Sequence, residues 1–554
     1  LNLSNPTGGA SLGTQSSGTV TILDNDIAAG TLAFGGTTFS VNEDGNAIAE
    51  ITVTRTGGSE GAVSAEVTQT DDSAISPADY TNGAIAVNFS DGDTTPKTVS
   101  IPIVDDSIFE PTESLNLSLE NLTGGAILGT QNTATLQIVD NDSTENLELA
   151  TATYLGTAGD DTAAATVISP VDSAIIVGGN FDGSGQIRRL QDGTMLLSTT
   201  PVGGSVGDLD IDGDSGEIVA AGDFGIKVYE STANSVLWSG AGTFDRVSIA
   251  NNGTVATLTE ATDTVTLWSP TGTQLATATL SGTDIRPADI AIAPDGSGIY
   301  VTGFNQVSST LQTPFLRAFD TSLAQVWNTW DYTASQVTGE GLGADTRGER
   351  ITFGEDGELY FLGKTDGGNN VFQRDGQDIT QNLATLVNVD SYTNFSGAGS
   401  GSFTFHAQID QSNGNIERGQ FIVTRLSSGN ANSFTPESIA ADEFGNVYIG
   451  GSSAATLQNR DGKTIDGQPV GNYTLGEMAV LGVSADYTVR KFWTPLTATG
   501  DADGSKGAVN SFAVRDGRAV IFGTVTQPDV ATTAGAINSN AIGGDDTYLA
   551  TWAV

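Results

Sequence analysis

Eight acidic residues stand where a run of short apolar segments should end. Glu43 follows the stretch FSVN, and Asp79 sits in SPADYT. Asp105, Asp106, Glu110 and Glu113 fall in VDDSIFEPTE, and Asp140 and Asp142 close IVDND. Carboxylates gathered at strand ends are the chemistry of a hard divalent cation, because a bound Ca²⁺ cancels charges that would otherwise repel. Paired carboxylates also hydrolyse glycosidic bonds, but no pair stands out here for that role.

The elements that would position these acids are strands. Segments alternating apolar and polar residues with period two run over Thr31–Phe34, Ala47–Arg55, Ala62–Thr68, Lys97–Val104, Ser114–Leu119 and Ala134–Val139. Turns rich in Gly, Asp, Asn and Pro separate them, which predicts an antiparallel β-sandwich.

In order along residues 28–142, the Glu strand, the DY pair, the DDxxxExxE loop and the terminal DxD resemble the Calx-beta family. The resemblance implies an immunoglobulin-like sandwich with calcium ligands at one tip. Carried over by position, the metal ligands are Glu43, Asp79, Asp105, Asp106, Glu110, Glu113, Asp140 and Asp142, with the Ile108 carbonyl as a further donor. Ser107 and Asn141 stand where the family has acids, which implies fewer ions or weaker binding. Calcium takes six to eight oxygens at about 2.3–2.6 Å, so such a tip is suited to it.

Residues 1–26 repeat residues 117–142 at an offset of 116, without a gap from Gly8 and Gly124 onward. Residues 1–27 thus read as the C-terminal remnant of a preceding module, 28–143 as a complete one, and further copies are expected N-terminally. Asp24 and Asp26 end the remnant as orphaned ligands.

A second, looser repeat fills residues 144–554. Seven segments share an apolar strand, a polar turn and a second apolar strand; the second strands begin near Ile175, Ile218, Thr254, Ile299, Leu359, Val447 and Ala519. This predicts four-stranded units in a seven-bladed β-propeller, with Leu147–Leu155 supplying the fourth strand of the last blade and closing the ring. YLGTAGDDTAAA and the stretch Gly523–Trp552 resemble the β-propeller repeat family of bacterial secreted proteins. That resemblance implies a fold and a surface location, with no single activity.

Three adjacent blades carry long connections, at about Lys364–Gly401, Ser452–Leu475 and Thr524–Gly544. Function tends to sit on such loops. Arg374, Asp375, Arg460, Asp461 and Tyr473 form a candidate partner site there; the equal alternative is hairpins that cover the propeller edge.

Other signals carry less. Asp208, Asp210 and Asp212 spell DxDxDG, but the twelfth position, which an EF-hand fills with an acid, is Val219. His406 is the single histidine and lies in a strand-like stretch, so it reads as a packed residue; a three-histidine metal site is excluded. Trp238, Trp268, Trp327, Trp330 and Trp493 read as packing between blades. There is no cysteine, so no disulfide or thiolate chemistry. The balance of 21 basic against 66 acidic residues, a formal charge of −45, opposes nucleic acid and anionic membranes. No apolar run is long enough to span a bilayer as a helix.

The expectation is an all-β chain, a Calx-beta immunoglobulin-like β-sandwich followed by a seven-bladed β-propeller, working as a non-enzymatic, calcium-binding adhesion or surface structural protein. Its partners would be calcium and a surface glycan, a protein or further copies of itself, outside the cell or on its surface. The alternative is a secreted propeller enzyme acting on polysaccharide.

Overall fold

A computed structural model describes the chain except residues 23–27, 44–47, 106–111, 141–145, 396–400 and 499–504, and the side chains at 505, 527 and 528. Among the described residues nearly all regular structure is strand, with a single short α-helix at Ala334–Gly339. The chain divides into two compact units, one within residues 1–141 and one within 142–554.

Among the described residues the first unit holds nine strands: β1 (Thr31–Phe34), β2 (Thr38–Asn42), β3 (Ile48–Thr56), β4 (Val63–Asp71), β5 (Ile85–Phe89), β6 (Lys97–Pro102), β7 (Glu113–Glu120), β8 (Ile127–Leu128) and β9 (Thr133–Val139). They form two sheets, in the orders β6-β3-β1-β8 and β2-β9-β7-β4-β5. The period-two pattern is realised as burial. Along β3, Ile51 and Val53 are buried and their neighbours are not; along β7, Leu115, Leu117 and Leu119 face inward. Each such fully buried aliphatic side chain contributes about 1.5–3 kcal/mol. The strands β5 and β8 were not among the expected segments; β8, at two residues, is too short for alternation to show.

Arg55 is the unexpected core residue. Its guanidinium is buried at the far end of β3 and donates to the carbonyls of Ala29, Ser90, Asp93, Glu60 and Gly61 at 2.9–3.3 Å. One cation thereby gathers three loops, and its burial is compensated by hydrogen bonds rather than a counter-ion.

The sequence repeat is also a conformational one. Gly8 and Gly9 have φ of 69° and 81°, and Gly124 and Gly125 have 70° and 82°. Both pairs sit in the left-handed region that glycine enters without steric cost. Residues 1–22 pair on themselves through Leu3 N–H to Ser16 O and Gly18 N–H to Leu1 O, and leave Leu1, Leu3, Val20 and Ile22 exposed.

Among the described residues the second unit contains seven four-stranded antiparallel sheets. Their first strands are Thr162–Ile168, Val206–Ile211, Arg246–Ile249, Ile285–Ile292, Thr346–Phe353, Phe434–Ala441 and Ser505–Arg515. The second strands begin at Ile175, Ile218, Val255, Ile299, Leu359, Val447 and Arg518, within a residue of expectation. These second strands are apolar without alternation because they are buried on both faces; Ile218–Gly222 is buried throughout. The outer strand Met195–Pro201 is largely exposed and alternates.

Six sheets are built from consecutive sequence. The seventh takes Ser505–Arg515, Arg518–Pro528 and Asp546–Ala553, and its fourth strand is Thr151–Tyr154 from the other end of the unit. Thr151 pairs with Thr551 and Tyr154 with Tyr548. The first strand of each sheet neighbours the first strands before and after it, and that of the seventh sheet returns to that of the first. The first strands surround a cavity of about 560 Å³.

Each first strand is the free edge of its sheet, and side chains cover several of these edges. Asp208 accepts from Val247 N–H at 3.0 Å, Asp210 from Ile249 N–H at 2.9 Å and Asp289 from Ile351 N–H at 3.0 Å. Ser511 Oγ accepts from Thr166 N–H at 3.0 Å, joining the seventh sheet to the first.

Candidate metal centre

The ends of β2, β6 and β9 and the starts of β3 and β7 lie at one end of the sandwich, since Asn42 pairs with Val139, Glu113 with Ile138, and Pro102 with Ile48. Glu43 continues from β2 and its N–H donates to Val139 O at 2.9 Å, which sets it beside Asp140. Glu43 is 5% exposed, while Asp140 and Glu113 are half-buried. The second group hangs on a backbone link: Val104 N–H donates to Asp79 O at 3.0 Å, and the isolated bridge between Tyr80 and Ile103 holds the loop to the end of β6. Asp79 also closes its own turn, accepting from Ile75 N–H at 2.6 Å. Asp105 follows, exposed.

Tyr80 anchors this loop. Its ring is buried and its hydroxyl donates to Asp71 at the end of β4. Burial, then the Asp71 carboxylate, raises the phenol well above its ordinary value, so it stays a donor at any physiological pH. Sequence reasoning did not single out Asp71; its signal is its place as the last residue of a strand beside the DY pair.

Five of the eight expected ligands, Glu43, Asp79, Asp105, Glu113 and Asp140, are therefore described and belong to this one end. Asp106, Glu110 and Asp142, with Ile108, Asp24 and Asp26, lie outside the described residues. Among the described residues alone, no three acids or histidines come close enough together to hold an ion. The donor set fits calcium in kind: all five are carboxylates, which are hard ligands, and there is no thiolate or imidazole.

The loop residues of the second unit are placed differently from one another. Arg460 is buried, 4% exposed, with Nε and Nη2 on the carboxylate of Glu477 at 2.9 and 2.7 Å and Nη2 also on Gly471 O. It is committed inside its own loop. Tyr473 is 40% exposed with the Arg460 guanidinium 5.8 Å from its ring centre, and Asp461 is exposed. Arg374 is half-buried and donates to Asn382. Asp375 caps a turn through Gln377 and Asp378 N–H, and its carbonyl accepts from the Tyr332 hydroxyl. Much of these connections serves the fold. Thr464–Ile465 pairs with Asn146–Leu147, and Thr533 Oγ1 and Asn538 O accept from Ala152 and Tyr154 N–H, so two connections grip the strand that enters the ring.

His406 is fully buried in Phe403–Ile409, its Nε2 3.4 Å from Gln420 Oε1 and its ring 4.4 Å from that of Tyr487. Burial lowers its pKa to about 4. It is a packed neutral imidazole. The DxDxDG phrase is divided: Asp208 and Asp210 stand in the first strand of the second sheet and bond across to the third, while Asp212 caps the turn at Asp214 and Ser215. Burial pushes the Asp208 carboxyl up to about 7 against the pull of Arg246. Trp330 packs against Phe361, Phe372 and Phe405 at 4.7–5.8 Å, which joins the fourth and fifth sheets.

Comparison with known proteins locates two relationships. Residues 24–142 match the model of the Calx-beta domain, and residues 422–457 match that of a β-propeller repeat. The second match falls on the opening strands of the sixth sheet rather than on the two end stretches that carried the resemblance in the sequence. Among solved structures, the apo-form Calx CBD1 domain is 26% identical, with TM-score 0.19, covering 20% of this chain and 97% of that one. The Calx CBD2 domain is 17% identical, TM-score 0.20, covering 22% and 91%. The calcium-binding domain CBD12 of CALX1.1 is 20% identical, TM-score 0.20, covering 28% and 59%. No curated protein matches the chain.

Proposed function

We propose that this is a calcium-binding adhesion or structural protein of the cell surface, a Calx-beta sandwich serving as stalk to a seven-bladed β-propeller head, and that it binds rather than catalyses. The observation that carries the calcium reading is the gathering of Glu43, Asp79, Asp105, Glu113 and Asp140 at one end of the sandwich, within the span that matches the Calx-beta domain. Asp106, Glu110 and Asp142 complete the ligand set. Calcium there offsets carboxylate repulsion and stiffens the chain where β9 leaves the sandwich. The propeller reading is supported by seven four-stranded sheets whose first strands succeed one another around a cavity, and by the repeat match at 422–457. Exposed Asp461 and Tyr473 are the places on the loops where a surface glycan, a protein or a second copy would be met.

Calcium titration by calorimetry tests the core of this reading. The chain is expected to bind calcium, and Asp79→Ala or Asp105→Ala to weaken that binding by tenfold or more, since each removes a charged ligand oxygen. Unchanged affinity in both variants would refute the site.

A further inference from the structure

The outermost strands of the seven sheets are not finished alike. In the fifth sheet, Gly419 of the outer strand Ile416–Ile422 donates its N–H to Thr385 O at 3.1 Å and accepts from Val387 N–H at 2.8 Å, so the long connection of that sheet pairs along its edge. In the seventh, Tyr154 N–H donates to Asn538 O and Ala152 O accepts from Thr533 N–H. In the sixth, Arg490 of the outer strand Arg490–Pro495 is ion-paired at 2.8 Å with Asp390 from the connection of the fifth. The outer strands of the first four sheets are Met195–Pro201, Val236–Gly240, Gln274–Thr279 and Gln325–Thr329. Among the described residues each pairs only with the strand inside it, which leaves four open sheet edges.

The outer strands of the first six sheets each carry one extra residue, a β-bulge, soon after the turn that opens them. By register the bulged residue is Leu197, Leu237, Leu275 and Val326 in the first four sheets, Glu417 in the fifth and Lys491 in the sixth. One position is therefore apolar on the open edges and charged on the two that follow them. The four apolar residues are 42–62% exposed. The four open strands contain no charged residue, in a chain with 21 basic and 66 acidic ones. Open edges ordinarily carry charge that keeps other chains off. Here charge is missing from the edges that need it and present where the chain covers its own.

The four strands also adjoin. Thr200 Oγ1 in the first donates to Ala233 O, in the turn that opens the second, at 2.8 Å. Trp238 in the second lies against Gly272, in the turn that opens the third. Leu323, in the turn that opens the fourth, shares one apolar cluster with Ala276 and Ala278 of the third.

We propose that this uncharged rim is where a second copy of the chain docks, open strand edge against open strand edge. A cationic partner would be drawn to acidic surface and finds no carboxylate on these strands. A copy carrying −45 is repelled wherever acids face acids, and it approaches at least cost where both surfaces lack charge. Identical edges are self-complementary, since two of them pair antiparallel across a two-fold axis and bury their bulged leucines together. The proposal deepens the structural reading given above and rests on its ring of sheets, not on its calcium.

Sedimentation velocity of the full chain across micromolar concentrations tests it. Wild type is expected to form a dimer or larger species as concentration rises, and more readily in raised salt, which screens the repulsion between copies. Leu237→Glu/Leu275→Glu is expected to stay monomeric. Leu426→Glu, which charges an exposed leucine on the hairpin Thr424–Arg425 to Ala431–Asn432, is expected to associate as wild type does. All six tryptophans lie from Trp238 onward, so tryptophan fluorescence reports unfolding of the ring, is blind to the sandwich, and shows whether each variant's ring is folded. If the double Glu variant does not fold, Leu237→Gln/Leu275→Gln takes its place, with association weakened at least tenfold. Association that persists in the folded rim variant overturns the proposal, as does association that salt abolishes or that Leu426→Glu removes equally. A wild type that stays monomeric overturns it too, and calcium binding by that same sample would leave the calcium reading standing.

Discussion

Histidine 406 shows how far burial controls a residue whose type suggests chemistry. The imidazole is sealed between Gln420 and Tyr487, and its pKa is lowered to about 4 because the cation would lose its hydration. In the unfolded chain the same group titrates near 6.5. Between these values the unfolded state binds a proton that the folded state does not, so stability is full above about pH 6.5 and falls as pH drops towards 4. The loss amounts to about 3 kcal/mol for the ring. Asp208 opposes it: its carboxyl is raised to about 7, which favours the protonated folded state on acidification. The two are separated by comparing wild type with His406→Gln in denaturant titrations from pH 7.5 to 4.5. On acidification the variant should lose less stability, or gain more, than wild type, and equal slopes would mean that His406 is reached by water. The sequence placed His406 in a strand and so as a packed residue. It gave no sign of Arg55 or Arg460 as buried cations, since their acceptors come from segments distant in sequence or from loops with no local pattern.

At the scale of elements, the closing strand Thr151–Tyr154 has the most leverage. It covers the edge of Asp546–Ala553 that would otherwise be open, and it is held from behind by Thr533 and Asn538. Tyr154 is 1% exposed and stacks edge-on against Tyr548 with ring centres 5.8 Å apart. Tyr154→Ala should cost the ring about 3–5 kcal/mol, the range for truncating a buried aromatic. Chemical denaturation followed by tryptophan fluorescence measures it, and a loss below about 1 kcal/mol would show that the strand is dispensable. The strand itself was legible because the last repeat lacks a fourth strand and an unassigned apolar segment precedes the first. The use of two long connections to grip it was not legible. Nothing in DGKTI or ATTAGAIN announces that the partner is residue 146 or 152.

For the whole molecule, two compact units in one chain imply two unfolding events. Far-UV circular dichroism should show two transitions, with the sandwich step moving upward on addition of calcium, while tryptophan fluorescence shows the ring step alone. Coincidence of all probes in one transition would mean that the units unfold together. A net charge of −45 adds self-repulsion to both, and bound cations relieve it locally.

The sequence alone determined what depends on near neighbours: strands from two kinds of apolar pattern, turns from Gly and Asp, the 116-residue repeat that returns as equal glycine φ angles, and the strand-end positions of the acids. Period and turn chemistry are local, so they can be read along a line. Only the tertiary structure decided which ends meet. It set Glu43 against Asp140 by pairing two strands whose partners, such as Asn42 and Val139, lie 97 residues apart in sequence, roughly the reach of one sandwich. It turned Asp208 and Asp210, whose DxDxDG phrase had been set aside as a calcium signal, and the unremarked Asp289 into covers for neighbouring strand edges. Burial and the satisfaction of backbone polar groups belong to the packed molecule, and a residue's charge state and partners follow from them.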